Sequence, residues 1–335
     1  MRSTKHRQQS ILPILPRVLA FALASLLPAP ALLCAAPEPA KTPEPIRVLT
    51  YNLRLSTTSK DKDGNAWENR RESLADVITK HPDGNGPYDF IGTQETVIHP
   101  KPGLNQRDFL ASKLPTHGVI GRSREASAER GEGMILYWKK DRWLLDPREN
   151  GTFWLSDTPS TPGSKEESAG CPRTAVFGLF HELGASGAPT GRKLYVYDTH
   201  LDHISEGARQ RGAKILLSHI AARTDKSIPV VLMGDLNCNE KSPTLRYLTG
   251  EKVTLDDSPA QPPLALIDTF AAANPGEKQT STFNGFKAPG NKRIDFILVS
   301  PSLKTLSSKI IRTLRPDGGY PSDHFPVETI LTWGE

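Results

Sequence analysis

The chain contains 335 residues, of which 37% are hydrophobic, 7% are aromatic and 24% are charged. This is the composition of an ordinary soluble globular protein that can bury a large core without disulfide bonds, and no internal repeat is visible, so neither a repeat architecture nor a disulfide scaffold is indicated. The formal net charge of +5 falls to about +1 once the basic N-terminal segment is removed, so charge alone does not predict a general affinity for nucleic acid.

The N-terminus has the layout of a secretory signal, with a basic head, the apolar run 18–27 and small residues after it. The apolar run is too short to span a bilayer comfortably, so no stable membrane insertion is expected. We therefore predict a signal peptide at 1–36, a Pro-rich linker at 37–46 and one domain at 47–335. The protein is expected to be exported, either periplasmic or secreted.

The three cysteines add little to this interpretation. Cys34 leaves open a lipid-anchored variant, although the large Leu33 stands before it where a small residue is usual. Cys171 and Cys238 remain in the mature chain and could pair in an oxidising compartment. Two distant cysteines without a framework pattern do not decide whether they do.

Strand and helix patterns alternate along the rest of the chain. Apolar residues at helical spacing predict helices at 66–81 and 206–223. Apolar runs and alternating patterns predict strands, in chain order, at 46–55, 88–96, 131–140, 141–146, 174–183, 193–201, 228–237, 292–300 and 325–333. The third and fourth of these strands are predicted to form a hairpin. Neither half has a long linker of its own, so we predict one α/β domain with two stacked sheets and outer helices.

Polar residues recur at the ends of these predicted strands. Taken singly, each has a structural explanation as a turn former, a helix cap or the end of a ladder. Buried carboxylates are costly unless they are paired or bind a metal, and a layered sandwich brings several strand ends to one rim, so we expect a shared site. Such a rim suits hydrolysis of a phosphate ester, which needs oxygen ligands for a hard cation and donors for the developing charge. The rim residues are Asn52, Glu95, His200, Asp235, Asn237, Asp295, Asp323 and His324.

Six separated motifs resemble those of the endonuclease/exonuclease/phosphatase superfamily. They are TYNLR, GTQET, YDTHLDH, MGDLNCNE, RIDFILVS and PSDHFPV, and they stand in the family's order between about Arg47 and Leu331. The resemblance implies the DNase I-like fold, a four-layer α-β-β-α sandwich of two mostly antiparallel sheets. The segments WENRR and FWLSDTPSTPGS are similar to those of an exported bacterial branch related to deadenylase-type nucleases.

The resemblance also implies a divalent metal, Mg²⁺ or Mn²⁺. Glu95 matches the family's principal metal ligand, Asn52 stands beside it, and Asp323 is a further candidate ligand. A carboxylate and an amide oxygen leave coordination positions for water and for a phosphate oxygen, as Mg²⁺ prefers.

Four motif residues match the family's catalytic groups. Asp235 resembles the residue that orients or deprotonates the attacking water, and Asn237 resembles a donor to the phosphate. His324 resembles the imidazole that binds the phosphoryl oxygen. Asp295 resembles the carboxylate that orients this ring and favours its charged form.

Further residues are assigned to the phosphate or to its surroundings. His200 matches a second phosphate-contacting histidine, and Arg173 matches a basic residue that binds the phosphate through its planar guanidinium group. Asp202 and His203 adjoin His200 and are expected to shape the loop rather than touch substrate. The polar segment 159–172 is expected to influence substrate binding, because long loops on rigid scaffolds often do so.

The helix predicted at 66–81 begins with the segment WENRR. Trp67, Glu68 and Arg70 lie in its first turns. We expect them to pack against the core and to cap the helix.

The predicted function is metal-dependent hydrolysis of a phosphate ester, with a phosphodiesterase or nuclease preferred and the enzyme acting as a monomer. The substrate partner is a phosphate ester, which could be nucleic acid. A phosphatase acting on a sugar or other small phosphate is the close alternative, since the rim residues recognise only the phosphate and the loops determine which molecule carries it. A non-catalytic binding module is the alternative from a different class, but none of the rim residues is missing.

Overall fold

The computed structural model describes residues 44–57, 64–80, 87–278 and 280–334. The predicted signal peptide and most of the predicted linker lie outside the described residues. Among the helices that are described, none is long and apolar enough to cross a membrane.

The first of two large sheets is formed by strands from both ends of the domain. Its strands are β1 (Ile46–Asn52), β2 (Phe90–Ile98), β3 (His117–Ser123), β4 (Gly131–Lys139), β13 (Leu303–Ile310) and β14 (Val327–Trp333). They are ordered β13-β14-β1-β2-β4-β3. Only the central pair β1 and β2 is parallel, and the other pairs are antiparallel.

The second sheet has the same plan. Its strands are β5 (Trp143–Trp154), β6 (Thr174–Leu183), β7 (Pro189–His200), β8 (Val230–Asp235), β11 (Ile267–Asp268) and β12 (Asp295–Val299). The order is β11-β12-β8-β7-β6-β5, and only β7 and β8 run parallel. A separate two-stranded ribbon joins β9 (Val253–Leu255) to β10 (Ser258–Ala260).

In the described part of the chain, five α-helices connect these strands, and most of them begin with a side-chain cap. They are α1 (Trp67–Thr79), α2 (Gln106–Lys113), α3 (Glu206–Ala221), α4 (Pro243–Leu248) and α5 (Thr269–Ala273). The caps of α2 to α5 each accept a backbone N–H, as short polar side chains do at this position. The predicted capping of α1 is wrong, because α1 follows Ala66 without a side-chain cap and Arg70 is fully buried instead.

Three apolar clusters separate four layers of secondary structure. Successive strand residues point to opposite faces of a sheet, so β1 sends Val48 between the sheets and Leu49 towards the helices. The inter-sheet cluster also contains Phe90, Val196 and Val231. Helices α1 and α2 cover the outer face of the first sheet, and α3 and α4 cover that of the second. The predicted α-β-β-α sandwich of mostly antiparallel sheets is confirmed.

The predicted hairpin between 131–140 and 141–146 is wrong. Strand β4 pairs within the first sheet, whereas β5 begins the edge of the second, so the connection between them crosses the sandwich. Arg142 stabilises this crossing by binding Asp89 of the segment leading into β2 and Glu182 of β6, each at 2.9 Å. Apolar alternation predicts both strands but carries no information on which sheet accepts them.

Candidate active site

The candidate site lies at the carboxyl ends of the two parallel strand pairs. At the end of the first pair, Asn52 of β1 lies opposite Gln94 of β2, the residue before Glu95. At the end of the second pair, His200 of β7 lies opposite Asp235 of β8. Loops meet where parallel strands end, which is where ligand sites are built in open α/β sheets. The two sheets stack so that both ends contribute to one rim.

His324 and Asp295 form a buried pair at this rim. Asp295 begins β12 directly opposite Asp235, and its Oδ2 lies 2.9 Å from His324 Nδ1. Burial alone would lower the pKa of His324, but the carboxylates of Asp295 and Asp235 outweigh it and hold the pKa well above its ordinary value. The ring is therefore a cation near neutral pH, with its Nε2–H directed away from Asp295.

Asp235 is held ready to accept a proton. Its Oδ2 accepts from Asn52 Nδ2 at 3.0 Å, its Oδ1 accepts from the Asn237 backbone N–H at 2.9 Å, and His324 Nε2 lies 3.7 Å away. Burial and the neighbouring Asp295 raise the pKa of Asp235 to about 7. A carboxylate with a pKa close to the working pH suits general base catalysis.

His200 stays neutral beside this carboxylate. Burial lowers its pKa well below the ordinary value, and Arg173 and Arg124 lower it further. Asn237 Nδ2 lies 2.9 Å from His200 Nε2 and 3.1 Å from the carbonyl oxygen of Leu201. Both amide hydrogens of Asn237 are thus engaged, so direct donation to a phosphate requires giving up one of these bonds. With Nε2 accepting, the proton of His200 is on Nδ1, a buried atom without a hydrogen-bond partner among the described residues.

Arg173 is fixed by the loop that follows β7. Asp202 Oδ2 accepts from Arg173 Nε at 3.4 Å, and its Oδ1 accepts the backbone N–H groups of Ile204 and Ser205. The prediction that Asp202 shapes this loop is therefore confirmed. His203 Nδ1 contacts Arg173 Nη2 at 2.7 Å, which leaves the buried Arg173 Nη1 without a hydrogen-bond partner in the described part of the chain. Arg173 thus retains an unused cationic donor.

Glu95 and Asp323 lie on the side of the first sheet. Asn52 Nδ2 bridges Glu95 and Asp235, while its Oδ1 accepts the Arg54 backbone N–H at 3.0 Å. The Arg54 side chain lies 4.0 Å from Glu95 and 3.8 Å from Asp323. Burial alone would raise the pKa of Glu95, but His324 and Arg54 outweigh it and lower the pKa, so Glu95 is ionised. Glu95 and Arg54 have φ values of 56° and 55°, an uncommon conformation that functional sites often hold.

Two residues of the rim were not singled out from the sequence. Glu132 of β4 binds Arg124 through Nη1 and lies 4.0 Å from His200 Nδ1. Burial raises the pKa of Glu132 to about 7, with Glu95 adding to the rise. The glycines on either side of Glu132 were the one sequence feature that could have drawn attention to it. Their lack of a side chain is required, because a Cβ atom at Gly131 would clash with Ser123 and one at Gly133 would clash with the Arg122 backbone. They mark a strand end that is packed unusually closely.

A cavity of about 580 Å³ joins these groups. Its lining includes Arg54, Glu95, Arg124, Glu132, Cys171, Arg173, His200, His203, Asp235, Asn237, Phe283, Lys292, Asp323 and His324. The cavity is thus lined by most of the predicted metal, catalytic and phosphate residues. Asn52 and Asp295 do not line it, but they form hydrogen bonds with residues that do. Cys171, at the end of the segment 159–172, is a free thiol, as is Cys238, so the pairing left open by the sequence is not formed.

The cavity residues fit a divalent cation. Four carboxylates line the cavity, with Asp235 and Asp323 buried and Glu95 and Glu132 partly exposed. Burial and a neighbouring carboxylate raise the pKa values of both Glu132 and Asp235 to about 7. A hard cation with oxygen ligands would compensate this crowding of negative charge. Asp235, Asp295 and His324 also bring three ligand atoms within 4.8 Å of one another, but the bond between Asp295 and His324 already occupies Nδ1. Glu95 and Asp323 therefore remain the better candidate ligands.

The comparisons with known proteins agree with this geometry. The model of the Endonuclease/Exonuclease/phosphatase family matches residues 49–324. A protein of that family from Bacteroides thetaiotaomicron is 28% identical, with 87% of this chain and 98% of that chain covered and a TM-score of 0.71. A mannosyl-6-phosphatase from strain VPI-5482 of the same species is also 28% identical, with 86% and 100% covered and a TM-score of 0.70.

More distant structures share only the fold. The human Nocturnin catalytic domain with bound sulfate is 18% identical, with 86% of this chain and 94% of that chain covered and a TM-score of 0.61. No curated protein matches the sequence. Because the family model spans most of the chain and the rim has the expected residues, the protein belongs to the endonuclease/exonuclease/phosphatase family of phosphoester hydrolases.

Proposed function

We propose that the protein is a divalent-metal-dependent hydrolase whose substrate is a phosphate monoester of a small polar alcohol, such as a sugar. The observation that carries this proposal is the placement of a charged His324 and of Asp235, with a pKa of about 7, on one cavity with Glu95. The cavity thus offers a base, a cationic donor and a metal ligand within reach of one phosphate. Phosphoester hydrolysis requires these three functions.

The protein groups divide the reaction between them. Asp235 orients the attacking water and accepts its proton as the water oxygen bonds to phosphorus and the ester P–O bond breaks. The leaving alkoxide takes a proton from solvent and departs as the alcohol. His324 donates from Nε2 to a phosphoryl oxygen, and Asp295 keeps the ring charged and oriented. Arg173 and His200 also line the cavity, and Arg173 Nη1 and His200 Nδ1–H are donors without a hydrogen-bond partner among the described residues, so we assign them to the phosphate.

Glu95 and Asp323 would hold the divalent cation, with Asn52 positioned between Glu95 and Asp235. A cation held there would supply charge stabilisation to the phosphate. The Arg54 guanidinium lies 4.0 Å from Glu95 and 3.8 Å from Asp323, between the two candidate ligands.

Two observations favour a monoester over a diester. A monoester dianion needs more positive charge than a diester anion, and the cavity provides Arg54, Arg124, Arg173, Lys292 and the His324 cation. A structure that is 28% identical over 86% of this chain carries the name mannosyl-6-phosphatase. The phosphodiesterase or nuclease predicted from the sequence is the second candidate. It is favoured by Phe283, which lines the cavity and could stack on a base.

The test is phosphate release by the purified chain with Mg²⁺ or Mn²⁺ from matched substrates. Mannose 6-phosphate, glucose 6-phosphate and phenyl phosphate represent monoesters, while bis-p-nitrophenyl phosphate and single-stranded RNA and DNA represent diesters. We expect the hexose phosphates to be cleaved most efficiently and His324→Ala to reduce kcat about 10²- to 10³-fold. Cleavage confined to diesters would replace the monoester with the second candidate. No turnover on either class would favour a non-catalytic binding module.

We also propose that the mature protein begins near residue 37 and is exported as a monomer. The support is the N-terminal layout of a basic head, an apolar run and small residues. Mass measurement of the protein recovered from outside the cytoplasm would give the cleavage site. A protein recovered only from the cytoplasm at full length would contradict export.

A further inference from the structure

One buried arginine of α1 uses every N–H of its guanidinium on backbone carbonyls. Arg70 has no exposed surface, and the fork carries five donors. Nε donates to Asn65 at 3.0 Å, Nη1 donates to Leu53 at 2.5 Å and Pro321 at 3.3 Å, and Nη2 donates to Arg54 at 2.6 Å and Leu55 at 3.5 Å. Five donors therefore meet five carbonyl oxygens, which come from opposite ends of the sequence.

The same guanidinium lies between two aromatic rings. Its central carbon is 5.2 Å from the ring centroid of Trp67 and 5.7 Å from that of Phe286. Phe286 belongs to the segment 281–293, whose backbone N–H groups at Asn284 and Gly285 donate to the carbonyl of Asp323. The stacking thus brings a third segment of the site into contact with Arg70.

These contacts fix the segments that carry the candidate metal ligands. The segment 53–55 leaves β1 directly after Asn52, and its Leu55 N–H donates to Glu95 Oε2 at 3.1 Å. Pro321 stands two residues before Asp323, and the Ser322 hydroxyl between them donates to the carbonyl of Asn52. A shift of either segment would therefore change the distance between Glu95 and Asp323.

We propose that Arg70 is a positioning residue that holds Glu95 and Asp323 at the separation required for a divalent cation, by joining the segments 53–55 and 321–323. Its role in turnover rests on the proposed function, whereas its role in metal binding does not. A lysine cannot replace it, because an ammonium has three donors and no planar fork.

The test compares Arg70→Lys with the wild type in two independent measurements, Mg²⁺ binding and turnover, with turnover measured below the melting temperature of both proteins. Mg²⁺ affinity, read from the dependence of the melting temperature on Mg²⁺ concentration, is expected to weaken about tenfold. With phosphate release from glucose 6-phosphate as the second readout, kcat is expected to fall about 10- to 100-fold, with a smaller change in KM. A purely structural role would lower the melting temperature in the absence of metal without changing either quantity.

Arg71→Lys is the matched control on the same helix. Arg71 contacts Glu72 and the ring of Phe109, away from the cavity, and both measurements should stay at the wild-type value. If Arg70→Lys does not fold, Phe286→Leu removes one stacking ring while the guanidinium remains, and the same two losses are expected at smaller size.

Wild-type Mg²⁺ affinity and kcat in a folded Arg70→Lys protein, or in Phe286→Leu if the first does not fold, would overturn the proposal. A wild-type protein that binds Mg²⁺ but cleaves nothing would contradict the proposed function alone, and the Mg²⁺ affinity of the variant would still decide the role of Arg70.

Discussion

At the scale of single residues, the site depends on neighbouring carboxylates with opposite tasks. Asp295 bonds His324 and keeps it charged, while Asp235, 3.7 Å from the same ring, has its pKa raised to about 7 and can accept a proton. The difference follows from their contacts. Asp295 is bound to the imidazole cation, whereas Asp235 accepts mainly neutral donors from Asn52 and Asn237. The charged His324 and the raised pKa of Asp235 therefore identify the cationic donor and the base.

Asp295→Asn should move the alkaline limb of the activity profile to lower pH. His324 acts as a cation, which is fully populated below its pKa and is lost as the pH rises through it. Asp295 is the strongest of the groups that raise this pKa, so without its charge the loss should begin at a lower pH. We expect kcat at pH 8 to fall and to recover partly at pH 6, measured by phosphate release across pH.

Asp146→Asn provides the matched control for this experiment. Asp146 lies 3.2 Å from His181 in another aspartate–histidine pair that does not line the cavity, so its profile should match the wild type. An Asp295→Asn profile with an unmoved alkaline limb would contradict the assignment of that limb to His324.

At the scale of elements, the crossing from β4 to β5 joins the two sheets at one buried guanidinium. Arg142 binds Asp89, Glu182 and the carbonyl oxygens of Glu44 and Pro45. Asp89 also accepts the indole N–H of Trp143, the first residue of β5. A buried charge network of this kind is costly to break, because removing one partner leaves the others without compensation.

Arg142→Met should lower the free energy of unfolding by about 3–5 kcal/mol, because two buried carboxylates lose their partner. Denaturant unfolding measures this loss. The exposed neighbour Lys140→Met is the control and should change stability by less than about 0.5 kcal/mol. Arg142 does not line the active-site cavity, so its replacement should affect stability and not catalysis. We therefore expect kcat at 20 °C to stay within about twofold of the wild-type value. A loss below about 1 kcal/mol would show that the crossing does not depend on this residue.

The sequence predicts elements better than their partners, for a physical reason. Apolar alternation reports that a strand has a buried face, and it located β4 and the beginning of β5, although β5 continues to Trp154 and neither β3 nor β13 was predicted. The choice of sheet depends on long-range contacts such as those of Arg142, which leave no local pattern. The rim residues were predictable because strand ends meet at one edge. Glu132 was harder to find, because its proximity to His200 arises only when the two sheets stack. The expected cap role of Arg70 failed because its partners lie up to 251 positions away in the sequence.

At the scale of the whole molecule, one buried acid lies between the sheets beneath the rim. Asp198 of β7 accepts from Gln94 of β2 at 2.5 Å, and Gln94 also donates to Thr50. Gly92 permits this approach, since a Cβ there would lie 2.8 Å from Asp198 Cγ. Burial outweighs the hydrogen bond from Gln94 and raises the pKa of Asp198 well above its ordinary value. The two parallel strand pairs are therefore linked by a buried carboxyl group with a raised pKa.

Asp198→Asn should become more stable than the wild type as the pH rises. An acid whose folded pKa is raised stabilises the fold fully below its unfolded pKa, and this contribution is lost as the pH climbs towards the folded pKa. Each unit of pKa difference corresponds to about 1.4 kcal/mol. Asparagine keeps the shape and the acceptor for Gln94 but has no proton to lose. We expect equal stability near pH 4 and a more stable variant at pH 8, measured by denaturant unfolding.

The exposed Asp141→Asn serves as the control and should parallel the wild type across the pH range. A stability difference between Asp198→Asn and the wild type that does not change with pH would contradict the raised pKa of Asp198.

The central claim is that the fold brings a metal ligand, a base and a charged donor together to hydrolyse phosphate esters. The measurement that tests it most directly is phosphate release by metal-stripped protein, before and after addition of Mg²⁺, in the wild type and in Glu95→Gln. We expect no release from the stripped wild type, recovery with Mg²⁺, and no recovery in Glu95→Gln, which retains the shape of the side chain but loses its charge. Undiminished release after stripping, or equal recovery in Glu95→Gln, would contradict the claim.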